Sequence, residues 1–228
     1  MEKISMKKNL HQIWDNGILP DKYKINQQSL IDHHKDWNYK LWNIDECREL
    51  IKEKYNYFLD TFDNYEYKIQ RIDASKFFIL DAYNGLYCDT DIFFFKNIET
   101  LINNKNILLF KESDSFYKNE EFITNSIFYN NNSIFFNKLC KQIKYFNLID
   151  KNNRIAQNQW QTDIINVLTK AGPILLSNFY KANKFNFEIK SCLFFEKYRK
   201  KEEGEGDNTI YGVHEYSNSW FDKDKVLL

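Results

Sequence analysis

Two aspartates separated by one residue, Asp89 and Asp91, carry the strongest chemical signal in the sequence. They follow the apolar run Leu86-Tyr87-Cys88 and precede Ile92-Phe93-Phe94-Phe95. Carboxylates at i and i+2 of an extended chain point to one face, and they repel each other unless a cation lies beside them. A hard divalent ion, Mn2+ or Mg2+, binds through one or two carboxylates and completes its shell with substrate phosphate oxygens. The pair therefore suits the holding of a metal–diphosphate group. Two acids between apolar segments are also costly to bury without a partner. An EF-hand loop needs more oxygen ligands and a glycine in mid-loop, which the run of Ile and Phe does not supply. A glycosidase pair must straddle the scissile bond, which two acids one residue apart on one strand do not. A surface turn with two unrelated acids is the plain structural alternative.

Upstream, Asp73 and Lys76 lie three apart, on one face of a helix that Phe77 and Leu80 continue. The simple reading is an ion pair at the edge of a buried face. Beside a metal–phosphate site, the same pair has the donors and acceptors to grip sugar hydroxyls.

From Arg71 to Asp91, Arg71-Ile72-Asp73-Ala74-Ser75-Lys76-Phe77 and Asn84-Gly85-Leu86-Tyr87-Cys88-Asp89-Thr90-Asp91 resemble the pattern R-x-D-x-x-R-[YF]…G-G-x-Y-x-D-x-D. That pattern marks the DXD-containing sugar transferases of glycosyltransferase family 32, and the glucosylating clostridial toxins carry a related one. Leu10-His11-Gln12-Ile13-Trp14 is similar to the family's opening strand, and Tyr39-Lys40-Leu41-Trp42 to its second. Ala171-Gly172-Pro173 is similar to its T-G-P turn. His214-Glu215-Tyr216 with Ser219-Trp220 is similar to its C-terminal motif. Two positions depart: Lys76 stands for the usual Arg and loses the planar fork, and Asn84 stands for the first Gly, in a turn that Asn tolerates.

The resemblance implies a GT-A fold, a Rossmann-like α/β/α sandwich with a mixed central sheet, and transfer of a hexose with retention. The donor would be a nucleotide sugar, UDP-hexose first with GDP-mannose open, and the acceptor a hydroxyl of a glycan or other molecule. It implies catalytic roles for Asp73, Lys76, Asp89 and Asp91. Asp91 would bind the metal, with Asp89 on the metal, ribose or sugar, and His214 or Glu215 completing the shell. Donor binding would involve His11, Trp14 (stacked on the base), Arg71, Asp73, Lys76, Asp89, Ser219 and Trp220. A non-catalytic nucleotide-sugar or glycan-binding module of the same fold is the alternative, and it predicts binding without turnover.

The elements that must position these residues read as alternating strands and helices, which indicates a layered α/β fold. Strands are predicted at residues 9–14, 39–42, 86–88, 92–95, 106–110, 123–129 and 209–214. Helices are predicted at 21–34, after 45 with Asp45 as cap, at 68–83, 133–146 and 159–170. Gly85 suits the left-handed end of the helix before the acid pair, Gly172-Pro173 reads as a hard stop, and the charged run 198–208 as a solvated loop. With no repeat or long linker, residues 1–228 are expected to form a single domain. Lys plus Arg and Asp plus Glu both number 32, which argues against a nucleic-acid partner. No apolar run reaches membrane-spanning length, and the polar start lacks the apolar core of a signal peptide. The four cysteines include no CxxC pair and suit reduced thiols. A soluble, cytoplasmic protein is the expectation.

Overall fold

The chain opens with β1 (Asn9–Ile13), α1 (Asp21–His33), β2 (Asn38–Trp42) and α2 (Ile44–Lys54). This is the computed structural model of the protein, and it describes residues 6–103, 105–112, 122–149, 159–185, 187–198 and 200–217. The cap of α2 is Asn43, not Asp45. Its side chain accepts from the Glu46 amide and the Glu46 carboxylate accepts from the Asn43 amide, a reciprocal pair that satisfies two end donors. A 3-10 turn (Asn56–Phe58) and a short α3 (Leu59–Asp63) lead into α4 (Lys68–Tyr83) and β3 (Gly85–Cys88). After β4 (Ile92–Phe94) come α5 (Glu99–Ile102), β5 (Ile107–Lys111) and β6 (Ile123–Asn130). The remainder is α6 (Ile134–Ile149), α7 (Gln159–Lys170), α8 (Pro173–Ala182), α9 (Leu193–Glu196), α10 (Lys201–Gly204) and β7 (Gly212–His214).

Five strands form one sheet in the order β2-β1-β3-β6-β5. β1 runs parallel to β2 and β3, and β6 runs antiparallel to β3 and β5. The mixed central sheet expected from the sequence is thus present. β4 and β7 pair separately as an antiparallel ribbon with Ile92 opposite His214. The expected C-terminal strand therefore exists, but outside the main sheet. Each face of the sheet buries its own cluster. One contains Phe77, Phe78, Tyr87, Phe128, Phe136 and Leu175. The other contains Leu10, Leu30, Leu86, Cys88, Ile92 and Phe94. Two-residue alternation divides β3 between them: Leu86 and Cys88 point to one cluster and Tyr87 to the other.

Two boundaries differ from the sequence reading. Pro173 is the first residue of α8, so Gly172-Pro173 ends one helix and starts the next, because the missing amide hydrogen costs nothing at a first helical position. Within the charged run, Lys201–Gly204 forms a helical turn because Gly204 is buried, and a Cβ there would lie 2.8 Å from Ile210 Cδ1.

The turn between α4 and β3 fixes the entry to the acid pair. Asn84 takes φ 56° and Gly85 φ 104°. A side chain at Gly85 would put its Cβ 2.3 Å from the Asn9 carbonyl oxygen on the neighbouring strand. Asn84 holds its left-handed backbone with its own amide: Oδ1 accepts from Asn130 Nδ2 at 2.9 Å and from the Asn132 amide at 2.7 Å. Asn in place of the resembled family's first Gly is thereby compensated. Among the described residues no helix is long and apolar enough to cross a membrane.

Candidate donor-binding site

The acid pair does not lie on an extended strand. Strand β3 stops at Cys88, and Asp89-Thr90-Asp91 forms a turn in which the Ile92 amide donates to the Asp89 carbonyl at 3.4 Å. The turn sends the two carboxylates to different partners. The same-face expectation for Asp89 and Asp91 fails for that reason.

Asp89 keeps the parity of Tyr87 and faces the layer formed by α4. Its Oδ1 accepts from the Tyr87 hydroxyl at 2.7 Å and lies 3.0 Å from Lys76 Nζ. Lys76 also meets Asp73 Oδ1 at 2.8 Å and donates to the Asn125 carbonyl at 3.2 Å. Asp73 and Lys76 are both buried. Burial works against the Lys76 charge, but Asp73 and Asp89 outweigh it and hold the ammonium protonated, above its ordinary pKa. Burial raises the Asp73 carboxyl, and Lys76 opposes that rise.

Asp91 faces the C-terminal ribbon. Its Oδ2 accepts from the Ser217 amide at 2.9 Å and the Ser217 hydroxyl at 3.0 Å, and its Oδ1 lies 3.4 Å from His214 Nε2. Tyr23 of α1 donates to the Ser217 hydroxyl at 2.9 Å, so α1 braces the same contact. Burial alone would raise the Asp91 carboxyl, but His214 and the two Ser217 donors outweigh it and hold it well below the usual range. Tyr216 stacks on the His214 ring with centroids 3.8 Å apart and donates to Glu112 Oε1 at 3.2 Å.

These residues border one cavity of about 420 Å³. Trp14, Asp73, Lys76, Asp89, Asp91 and His214 all line it, and Ile69, Ile72, Val167 and Leu168 give it an apolar wall. Trp14 packs on Tyr23 with ring centroids 5.2 Å apart.

The remaining expected site residues lie elsewhere. His11 is buried between Trp42, whose indole N–H donates to Nδ1 at 3.2 Å, and the Asn84 carbonyl, 2.8 Å from Nε2. This fixes a neutral ring with its proton on Nε2, outside the cavity. Arg71 uses its guanidinium on backbone carbonyls, Phe62 at 3.3 Å and Tyr65 at 2.8 Å, and ties the segment before α4 in place. Glu215 follows His214 with opposite parity, so its carboxylate accepts from Asn26 at 3.2 Å and turns from the cavity. Ser219 and Trp220 lie outside the described residues. Sequence reasoning missed Tyr87, Asn125, Glu112 and Ser217. Tyr87 was accessible through its parity with Asp89, whereas nothing local marks the others.

Among the described residues no three His, Cys, Asp or Glu side chains converge as a ready metal shell. The donor set nonetheless fits a divalent ion that takes most of its ligands from a diphosphate, since such ions rarely use an all-protein cage. The Asp91 carboxylate and the His214 imidazole face each other across 3.4 Å at the cavity edge. A hard oxygen and an imidazole nitrogen suit Mn2+.

Comparison with known proteins agrees with the residues at the site. Residues 20–108 match the family described as glycosyltransferase sugar-binding region containing DXD motif. Mannosyl phosphorylinositol ceramide synthase SUR1 of Saccharomyces cerevisiae is 31% identical over 177 residues, 78% of this chain and 42% of that protein. Inositol phosphoceramide mannosyltransferase 3 of Schizosaccharomyces pombe is 35% identical over 102 residues, 45% of this chain and 29% of that protein. The chain thus spans less than half the length of these relatives. Among solved structures, the PaToxG glycosyltransferase aligns over 78% of this chain and 69% of that one, at 15% identity and a TM-score of 0.47. Residues 20–108, which include the Asp73, Lys76, Asp89 and Asp91 gathered at one cavity, are thus similar to the DXD-containing sugar-binding region of glycosyltransferases.

Proposed function

We propose that the protein transfers a hexose from a nucleotide-sugar donor to a hydroxyl of a glycan or another acceptor, with Mn2+ or Mg2+ and with retention at the anomeric carbon. The observation that carries the reading is the meeting of Asp91, Asp89 and the buried Asp73–Lys76 pair with Trp14 at one cavity.

In this reading Asp91 and His214 hold the cation, and Asp89 with Asp73 offers carboxylate oxygens to ribose or sugar hydroxyls. Trp14 offers a flat ring to the base. When bound, the cation stabilises the negative charge that develops on the departing nucleoside diphosphate. Lys76 keeps a positive charge among three oxygens and holds the two carboxylates beside it in place. The apolar wall at Ile69, Ile72, Val167 and Leu168 excludes water from one side of the reacting centre. The relatives' names are those of mannosyl-transferring proteins, and this favours GDP-mannose as the first donor to test ahead of the UDP-hexoses.

The test is a panel of GDP-mannose, UDP-glucose, UDP-galactose and UDP-N-acetylhexosamines, read as release of nucleoside diphosphate with Mn2+ and again with EDTA. One donor is expected to turn over, with the signal abolished by EDTA. Binding of a donor with no turnover on any acceptor offered supports the non-catalytic module instead, and absence of both removes the proposal.

A further inference from the structure

The Asp89 carboxylate is asymmetric. Oδ1 accepts two hydrogen bonds from within the protein, from the Tyr87 hydroxyl and from Lys76 Nζ, at 2.7 and 3.0 Å. Tyr87 is 1% exposed and Lys76 3%, while the Asp89 side chain is 28% exposed. Oδ2 is the oxygen left to face the cavity.

Lys76 is equally committed. An ammonium has three hydrogens, and Nζ has three oxygens within 3.2 Å: Asp73 Oδ1, Asp89 Oδ1 and the Asn125 carbonyl. The Tyr87 ring lies beneath, 5.2 Å from Nζ to its centroid. An arginine would bring five donors in a planar fork, enough to bridge both carboxylates and still reach a ligand. The lysine has none left over.

We propose that Lys76 and Tyr87 are positioning residues that pin one oxygen of Asp89 and thereby present the other to the donor, and that Lys76 makes no contact with the transferred sugar. The proposal rests on the function given above. It assigns Tyr87 a role and moves Lys76 from sugar contact to control of Asp89. The clamp follows from topology: the alternation of β3, kept by Asp89 just past its end, places Tyr87 and Asp89 on the face covered by α4, where Lys76 sits about two turns before the helix end.

A double-mutant cycle tests it. Binding of Mn2+-GDP and Mn2+-UDP is titrated calorimetrically to the wild-type chain, Tyr87→Phe, Asp89→Ala and the double variant, with thermal melting to confirm folding. Tyr87→Phe keeps the ring and removes one hydrogen bond to a charged acceptor, so the nucleotide that binds the wild type should weaken about fivefold. In the Asp89→Ala background the same substitution should change affinity less than twofold, because its target is gone. A second cycle with Lys76→Gln should behave alike. Lys76→Arg, which keeps the clamp, should restore most of the affinity lost in Lys76→Gln. A fivefold loss that persists without Asp89, or no loss in its presence, overturns the proposal while leaving the transferase reading intact. A wild-type chain that binds neither nucleotide overturns both.

Discussion

The two halves of the cavity are built in opposite ways. Asp73, Lys76, Tyr87 and Asp89 come from α4, the strand that follows it and the turn at its end, and they satisfy one another through short contacts. Asp91 meets Ser217 across 126 positions of sequence, and its partners come from a two-stranded ribbon and a tail braced by Tyr23. The difference separates two tasks. The α4 half is closed by its own contacts, and in the proposed function it orients hydroxyl-bearing groups. The ribbon half joins through a few hydrogen bonds to residues far along the chain, and in the proposed function it places the carboxylate that would hold the metal where its partners can exchange.

The largest effect should fall on the ribbon half. Asp91→Asn keeps the shape but removes the charge, and turnover should drop about a thousandfold with little change in the circular dichroism spectrum. A comparable loss from Ser217→Ala would show that the contact, and not the charge, is the working part.

Next comes the closed half, where the expected damage is to stability. Lys76→Met leaves Asp73 buried without its cation, and urea unfolding should report a loss of about 3–5 kcal/mol. A loss below about 1 kcal/mol would mean that the α4 half is not preorganised by this pair.

Acid should reverse the ranking of robustness. Burial lowers the His11 pKa to about 4, below the ordinary value near 6.5. The unfolded chain then binds the proton first, so the contribution of neutral His11 is whole above about pH 6.5 and is lost as pH falls toward 4, by up to about 3 kcal/mol. Because His11 supports the Asn84 carbonyl at the turn into β3, the closed half should weaken across that window. His11→Asn should flatten the pH dependence of the melting temperature there, and an unchanged slope would refute the assignment.

The smallest effect should come from Ser217→Ala. It removes one of two donors to Asp91 Oδ2 and leaves the backbone amide in place. A loss of about 1 kcal/mol in metal–nucleotide affinity, several-fold in Kd, is expected by titration.

The same division governs what the sequence revealed. The α4–β3 half lies within one continuous stretch, so helical spacing paired Asp73 with Lys76 and the turn residues marked Gly85, while the family resemblance over the same stretch supplied their place beside Asp89. The layered α/β fold was legible because its strands are apolar runs bounded by turns, and the mixed order of its sheet was implied by the family resemblance alone. Local spacing did not reveal that Asp89-Thr90-Asp91 turns, because the turn answers to Ser217 and His214, far along the chain. His11 and Arg71 were placed at the donor because they belong to the motif, whereas their bonds show that they hold the motif's frame. Glu215 fell on the wrong side through the parity of β7, which becomes fixed only when Ile92 pairs with His214.

The most direct test is anomalous diffraction from crystals grown with Mn2+ and the nucleoside diphosphate of the active donor. The account predicts a manganese peak at coordination distance from the Asp91 carboxylate, bridged to the diphosphate oxygens. A bound nucleotide with manganese elsewhere, or an ordered cavity containing neither, would contradict it.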